Sequence, residues 1–531
     1  MDEKERITKA AALMSIATFL SRITGYIKDM ILAKVFGASG VTDTFFVAFR
    51  IPNLLRELFA EGSISAAFVP VFTECLTKEG KEEAKRLASI VFTFLLLTLT
   101  IITLLGILFA PYVVSLIAPG FMKDAEKFSL TIKLAKIMFP FLFFISLAAL
   151  AMGILNSLKA FFIPALAPMF LNLSIIACVF TIAPQFSQPL LAIALGVTIG
   201  GALQFGVQIP SLIRQGIDFK PILSFSHPAL RKMLTLLMPA IAGMGVAQIN
   251  IFLSTIFVSY LPDGFATYLY YAMRLIHFPI GIFGVAMAMA VLPTLSRYAV
   301  KGDMDSLRDT LSFSLSLLFF ITIPAMAGLI ALGKPIVNVL FQRGEFTYEA
   351  TLGTAYALLF YSAGLWAFVG ARVTASVFYS TQDTKTPMKV AGLSILTNII
   401  FSIILMGPLK HGGLALANAI GSMVNFIALF WILRKRLRRI DGRKILKSFA
   451  KISFASSLMA LMGWMITKGD IWCAPEGCTL WMESGRIIEK AGILGGVIVI
   501  CIAIYLLIMH FMKSEELKYL IKMYRERKSK S

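Results

Sequence analysis

The sequence predicts an all-α polytopic membrane protein with fourteen transmembrane helices, and three observations carry that prediction. Hydrophobic residues make up 58% of the 531 residues and charged residues only 15%, against roughly 45–50% and 25% in soluble domains. The apolar residues gather into fourteen runs long enough for a hydrocarbon core about 30 Å thick. The 50 Lys+Arg outnumber the 29 Asp+Glu, a net +21, and the surplus falls on alternate connections, as the positive-inside rule requires. Such a composition excludes a soluble enzyme and a disordered chain. A nucleic-acid binder of this basicity would be charge-rich, with its cations clustered on a polar surface. Here they are scattered through apolar sequence, so no nucleic-acid partner is expected.

The runs are 10–33, 43–72, 87–110, 130–155, 162–183, 189–212, 233–259, 266–295, 308–331, 351–378, 388–406, 412–434, 446–467 and 488–512. The first begins at Ala10 and continues through Arg22 and Lys28 with no A-x-A site ahead of a polar sequence. It is therefore read as a span and not as a cleaved signal. Spans 3, 9 and 14 are plain apolar helices; spans 1, 2 and 8 carry charges and need a reason for them. Pro52, Pro239, Pro279 and Pro293 can break or bend their helices, and freed backbone groups are tolerable only beside a cavity or packed protein. Gly196-x-x-x-Gly200 in span 6 and Gly281-x-x-Gly284 in span 8 permit close helix packing.

With charges at span ends counted in the adjoining loops, and the N-terminus inside, the inner segments hold 32 basic and 16 acidic residues. The outer loops hold 9 of each, and the spans hold 9 basic and 4 acidic. Both termini are therefore expected in the cytoplasm. An internal repeat runs at an offset of 223–225 residues. Ala48-Phe-Arg50 recurs as Ala272-Met-Arg274, Pro70 as Pro293, Ser157 as Ser380, Pro164 as Pro387, and Leu191-Ala-x-Ala194 as Leu414-Ala-x-Ala417. Six spans per copy is an even number, so the copies share orientation about an axis along the membrane normal. The expected organisation is two pseudo-symmetric six-helix lobes around a central cavity, 1–215 and 216–436, plus two C-terminal helices and a basic cytoplasmic tail in 437–531.

Three constellations place charge inside the membrane. Span 1 has Ser15, Thr18, Arg22, Gly25 and Asp29 on one helical face, with Lys28 beside it. Span 2 has Asp43, Arg50, Asn53, Glu57 and Glu61, with Arg56 about 60° around from Asn53. Span 8 has Tyr270, Arg274, His277, Gly281 and Gly284. A cation at the bilayer centre costs about 2.5–3.5 kcal/mol. Arg22, Lys28, Arg56 and Arg274 facing lipid would therefore cost on the order of 10 kcal/mol, comparable to the stability of a domain. They are expected to face a water-filled cavity or partners. Asp29 and Glu57 neutralise part of the charge, and the remainder favours an anionic ligand. A guanidinium fork matches phosphate oxygens, so a phosphate or pyrophosphate is the natural ligand. Arg50, Arg372, Lys133 and Lys136, nearer span ends, read as snorkelling or structural cations. Glu57 and Glu61 read as counter-ions or as proton carriers.

Cys473 and Cys478 fall in the outer loop between spans 13 and 14, where they are either a small disulfide loop or two free thiols. No G-x-x-x-x-G-K-[ST] and no H-E-x-x-H occurs, and the four His (227, 277, 411, 510) are dispersed. No enzyme and no cofactor is expected; energy would come from an ion gradient or from the membrane potential, worth about 2.3 kcal/mol per charge per 100 mV.

The stretch SRITGYIKD from Ser21 to Asp29, Phe36-Gly-Ala38, TDTFFVAFRIPNLLR from Thr42 to Arg56 and Phe59-Ala-Glu-Gly62 together resemble the MurJ/MviN family of lipid II flippases, within the MOP exporter superfamily. Ala66 to Pro70, Ala118 to Phe121, Tyr270 to Arg274 and Gln382 to Pro387 extend the resemblance over essentially the whole chain. It implies a flippase of the bacterial inner membrane. Such a protein moves undecaprenyl-pyrophosphate-linked disaccharide-pentapeptide, lipid II, from the inner to the outer leaflet by alternating access for peptidoglycan synthesis. Other cell-wall synthesis proteins would be its partners. It implies Arg22, Lys28, Arg56 and Arg274 as the cavity cations, Asp29, Asp43 and Glu61 as acidic positions, and a groove for the lipid tail between spans 13 and 14. Lys28 stands where the family often has Arg, Met273 where an acid often precedes the span 8 Arg, and His277 where an acid is frequent. Some members bind sodium through an acid of span 7; residues 233–259 contain none, which leaves Asp383 as the remaining metal candidate. The alternative is an exporter of the same superfamily for another lipid-linked oligosaccharide or a small molecule.

Overall fold

The computed structural model describes residues 3–58, 64–224, 226–437, 442–467, 481 and 485–528. Among them every regular element is helical. The chain forms two compact units, Met1–Asp263 and Gly264–Ser531.

The first unit contains α1 (Glu3–Phe36), α2 (Gly40–Arg56), α3 (Ser65–Lys78), α4 (Lys81–Leu108), α5 (Ala110–Ile117), α6 (Ala125–Ser157), α7 (Phe162–Thr181), α8 (Pro189–Gly206), α9 (Ile209–Arg214) and α10 (Pro228–Ser259). Polar residues set the starts. The Ser39 hydroxyl accepts from the backbone N–H of Thr42 to cap α2. Asp124 accepts from the N–H groups of Glu126 and Lys127 to cap α6. The middle of the unit is α6, which packs against α2, α4 and α8. Its 18-residue apolar window is 72% buried inside the protein. Helix α7 lies on α8 and α1. The glycine reading of span 6 holds here: a Cβ on Gly196 would meet Cys178 and Ile175, and one on Gly200 would meet the Leu171 backbone at 2.9 Å. Only a hydrogen side chain lets α7 and α8 approach so closely. A further apolar core joins α3, α4, α6 and the start of α10 through Phe68, Phe72, Leu87, Ile154 and Met233.

The second unit contains α11 (Phe265–Pro279), α12 (Ala286–Lys301), α13 (Met304–Phe341), α14 (Tyr348–Ala363), α15 (Leu365–Ser380), α16 (Lys385–Leu437), α17 (Gly442–Ile466), α18 (Ile487–Phe511) and α19 (Glu515–Lys528). Here α13 is central, packing against α12, α14, α15 and α17. Asp303 and Thr347 cap α13 and α14 through the N–H groups of Ser306 and Ala350. Tyr505 of α18 donates its hydroxyl to the Phe320 carbonyl of α13 at 2.8 Å, a direct tie between the fourteenth predicted span and the ninth.

Among the described residues, nine helices are long and apolar enough to cross a membrane, or ten when α14 and α15, bent by 41°, count as one span. Charge and a kink account for part of the difference from fourteen among the described residues. The helices of predicted spans 1 and 2 carry the interior charges, and α2 is 17 residues long. Within predicted span 2 the described helices are α2 and α3, with Glu57 and Ile64 beside them in helical conformation. Spans 11 and 12 lie in α16, which is interrupted by the non-helical Lys410 (φ 50°, ψ −127°). Helix α10, expected in the second lobe, is part of the first compact unit, because it packs on α3, α4 and α5. Of the four prolines expected to break or bend their helices, Pro52, Pro239 and Pro293 stand inside helices that continue past them. Pro279 alone marks a change, with a π-helical turn over Ile280–Val285 following it. Proline supplies no N–H to the carbonyl four residues back, and a wider turn is one way the ladder adjusts.

Candidate functional site

Helix α1 carries its polar stripe from an open to a closed environment. Ser15, Thr18 and Arg22 are exposed, whereas Gly25 and Asp29 are buried. Arg22 makes no ion pair among the described residues. Two turns on, Lys28 is 8% exposed and Asp29 is fully buried, and the Lys28 ammonium lies 3.1 Å from Asp29 Oδ1. The wall behind Arg22 is α7, where Asn172 donates to the Ser21 carbonyl at 3.3 Å. In sequence Asn172 reads only as a meaningless glycosylation sequon within a span; in the structure it is a polar tie between α7 and α1.

Helix α2 presents its polar face to α10. Arg50 donates to the Thr255 hydroxyl at 2.8 Å. Glu57 accepts from Gln248 at 2.6 Å. The residues of each pair lie seven positions from those of the other, in opposite chain directions, so the two bonds are rungs about 10 Å apart between antiparallel helices. Around the Glu57–Gln248 rung, Asn53 donates to Glu57 at 3.2 Å, Arg56 donates through Nε to Asn53 at 3.1 Å, and an Arg56 Nη lies 3.8 Å from Glu57. Asp43 is 2% exposed in the first turn of α2, where a carboxylate is favoured by the amide dipoles. Glu61, together with Cys473 and Cys478, lies outside the described residues. Gln248 and Thr255 are the residues the sequence reading missed. Their spacing of seven puts them on one helical face, the same signal that revealed the stripe of α1.

The C-terminal end of α10 in this seam is closed by Lys127, whose ammonium lies 2.5 Å from Asp263, and by Gly120, whose N–H donates to Ser259. At the N-terminal end of α10 Lys232 pairs with Glu74, and His227 Nε2 lies 3.2 Å from Glu83. Helix α10 is thus tied along its length to the rest of its unit.

In the second unit Arg274 is half-buried on α11 and His277 is exposed one turn later. Past Pro279, Gly284 lies where a Cβ would fall 2.7 Å from Val369 of α15, which gives that glycine a packing role.

Among the described residues no group of three or more His, Cys, Asp or Glu is arranged to hold a metal ion. Asp383 is occupied otherwise. It accepts from the Thr386 N–H and hydroxyl, capping the first turn of α16, and from Arg436. The Thr386 bonds first, and Arg436 next, hold its carboxyl at about 2. A carboxyl lowered by folding stabilises the fold above its unfolded value near 4, and that contribution disappears as pH falls from about 4 toward 2. Replacing Asp383 by Ala should therefore lower stability at pH 7 by about 1 kcal/mol, the usual value of a cap. Thermal unfolding of the purified chain should show the gap at pH 7 and a smaller one at pH 3.

The family model described as lipid II flippase MurJ matches residues 32–471. The probable lipid II flippase MurJ of Vibrio cholerae is 36% identical over 512 residues, covering 95% of this chain and 96% of that relative. The lipid II flippase MurJ of Burkholderia cenocepacia is 36% identical over 467 residues, covering 86% and 90%. A solved structure of the lipid II flippase MurJ in an inward closed conformation matches with a TM-score of 0.77 at 30% identity, over 94% of this chain and 98% of that one. A multidrug resistance MATE transporter of the MOP superfamily in its inward-facing conformation matches with a TM-score of 0.67 at 16% identity, over 82% and 99%. That second likeness is one of fold.

Proposed function

The chain belongs to the MurJ family of lipid II flippases, and from that premise we propose how its residues carry the activity. It is a multi-pass protein of the bacterial inner membrane, a transporter and not an enzyme, and lipid II is its substrate. The finer reading is of fourteen spans with both termini in the cytoplasm, supported by the 32 basic residues of the inner segments against 9 in the outer loops. Arg22, Lys28 and Arg56 of the first unit, and Arg274 of the second, supply the donors for the pyrophosphate. The polyprenyl tail stays in lipid, and alternating access moves the headgroup across.

One observation carries the assignment: Arg22 is a cation within an apolar helix, exposed and without a carboxylate partner among the described residues. A permanent charge so placed needs an anion or water, and a guanidinium offers a planar fork to phosphate oxygens. Asp29, Asp43, Asn53, Glu57, Glu61 and His277 act as supporting groups, with Asn53 and Glu57 fixing the Arg56 guanidinium. No cofactor enters this scheme; coupling is to the membrane potential or an ion gradient. The test is leaflet-specific detection of lipid II in cells whose only flippase is this chain. Depleting the chain should leave lipid II in the inner leaflet. Undiminished outer-leaflet lipid II would reject the reading.

A further inference from the structure

We propose that α19 and the end of α18 form a headgroup site for anionic phospholipid of the cytoplasmic leaflet. The chain turns sharply after α18 at Lys513 (φ 52°). The first turn of α19 is then fixed: Glu516 accepts from the hydroxyls of Ser448 and Ser514, and Lys451 donates to the Met512 carbonyl at 2.9 Å. Further along, the Tyr519 ring packs edge-on against Phe313 of α13, centroids 4.7 Å apart. These contacts hold the helix in place without covering the groove beside it.

That groove has a volume of about 690 Å³. Phe511, 74% exposed, and Ile521 give it an apolar floor. Lys513, Lys518, Lys522 and Arg525 give it a cationic rim. Lys518, Lys522 and Arg525 follow at spacings of four and three, which puts them on one helical face. Glu526, 3.8 Å from Lys522, offsets one of these charges. An apolar floor under a cationic rim fits a phospholipid: the phosphate meets the cations while glycerol and upper acyl carbons cover Phe511 and Ile521. A purely acidic peptide would leave that floor uncovered. Basic amphipathic helices lie in the interfacial plane for this reason, and each cation there favours an anionic leaflet by about fivefold in partitioning. The inner location of the site follows from the seven basic residues between Lys513 and Lys530. The site is separate from the pyrophosphate cations and stands whether or not their assignment does.

The test uses the purified full chain in mixed micelles, with bound lipid counted by native mass spectrometry. The unmodified chain is expected to retain several-fold more phosphatidylglycerol than phosphatidylcholine. In the Lys518→Gln/Lys522→Gln/Arg525→Gln variant, with its melting temperature checked against the parent, the ratio should fall toward one. High salt should lower it in the unmodified chain as well. Equal retention of both lipids by the unmodified chain, or a preference that survives the triple substitution, overturns the proposal. So does displacement of phosphatidylglycerol by equimolar geranyl pyrophosphate, which would make the groove a pyrophosphate-carrier site instead.

Discussion

Arg22→Ala and Arg274→Ala are each expected to abolish growth of a flippase-depleted strain while leaving the protein in the membrane at its normal level. A hydrogen bond to a charged group is worth about 1.5–3 kcal/mol, so losing one guanidinium should weaken pyrophosphate binding by roughly ten- to a hundredfold. The Arg22 side chain is exposed on α1, so its truncation leaves no cavity and the loss should fall on transport. Lysine at position 22 keeps the charge without the fork and should restore growth in part. The measurement is complementation, with membrane level read by immunoblot. Full growth with either alanine variant sinks the assignment of that residue.

The second large effect is expected at Glu57. Its carboxylate accepts from Asn53 and from Gln248 and lies beside Arg56. Glu57→Ala removes all three interactions and leaves polar groups facing one another across the α2–α10 seam. The Arg56 and Glu57 side chains are 22% and 29% exposed, so solvent softens the loss. About 2–4 kcal/mol of stability is expected to go, less than for a fully buried pair. Thermal unfolding of the purified chain measures it. Glu57→Gln keeps the volume and one acceptor and should retain most of the stability. Growth supported by the glutamine variant identifies Glu57 as a counter-ion. A stable variant without growth identifies the charge, or its proton, as part of the transport cycle.

Much of this was legible beforehand because membrane helices write themselves strongly. A run such as 488–512 has few alternatives to a span, and the helix Ile487–Phe511 matches it within a residue. The 3-and-4 spacing of Ser15, Thr18, Arg22, Gly25 and Asp29 places them on one face. Periodicity, however, does not tell which part of a face is covered. The stripe divides between exposed Arg22 and buried Asp29. Proline located one change of helix type, the π-helical turn that follows Pro279, while the helices around Pro52, Pro239 and Pro293 continue past them.

The sequence by itself determined the helical class, the membrane location, the chemical type of the interior charge and the family to which the chain belongs. These depend on composition, period and motif, which are local properties. Only the tertiary structure decided that α10 packs into the first compact unit. It alone revealed that Gln248 and Thr255 complete the polar face of α2, and that Asp383 caps a helix. The partners of α2 on α10 meet it across 205 and 191 residues of chain, and Arg436 reaches Asp383 across 53, whereas the Thr386 bonds of that cap span only three. Spacing places such residues on one face of a helix, and only packing decides which distant helix that face meets.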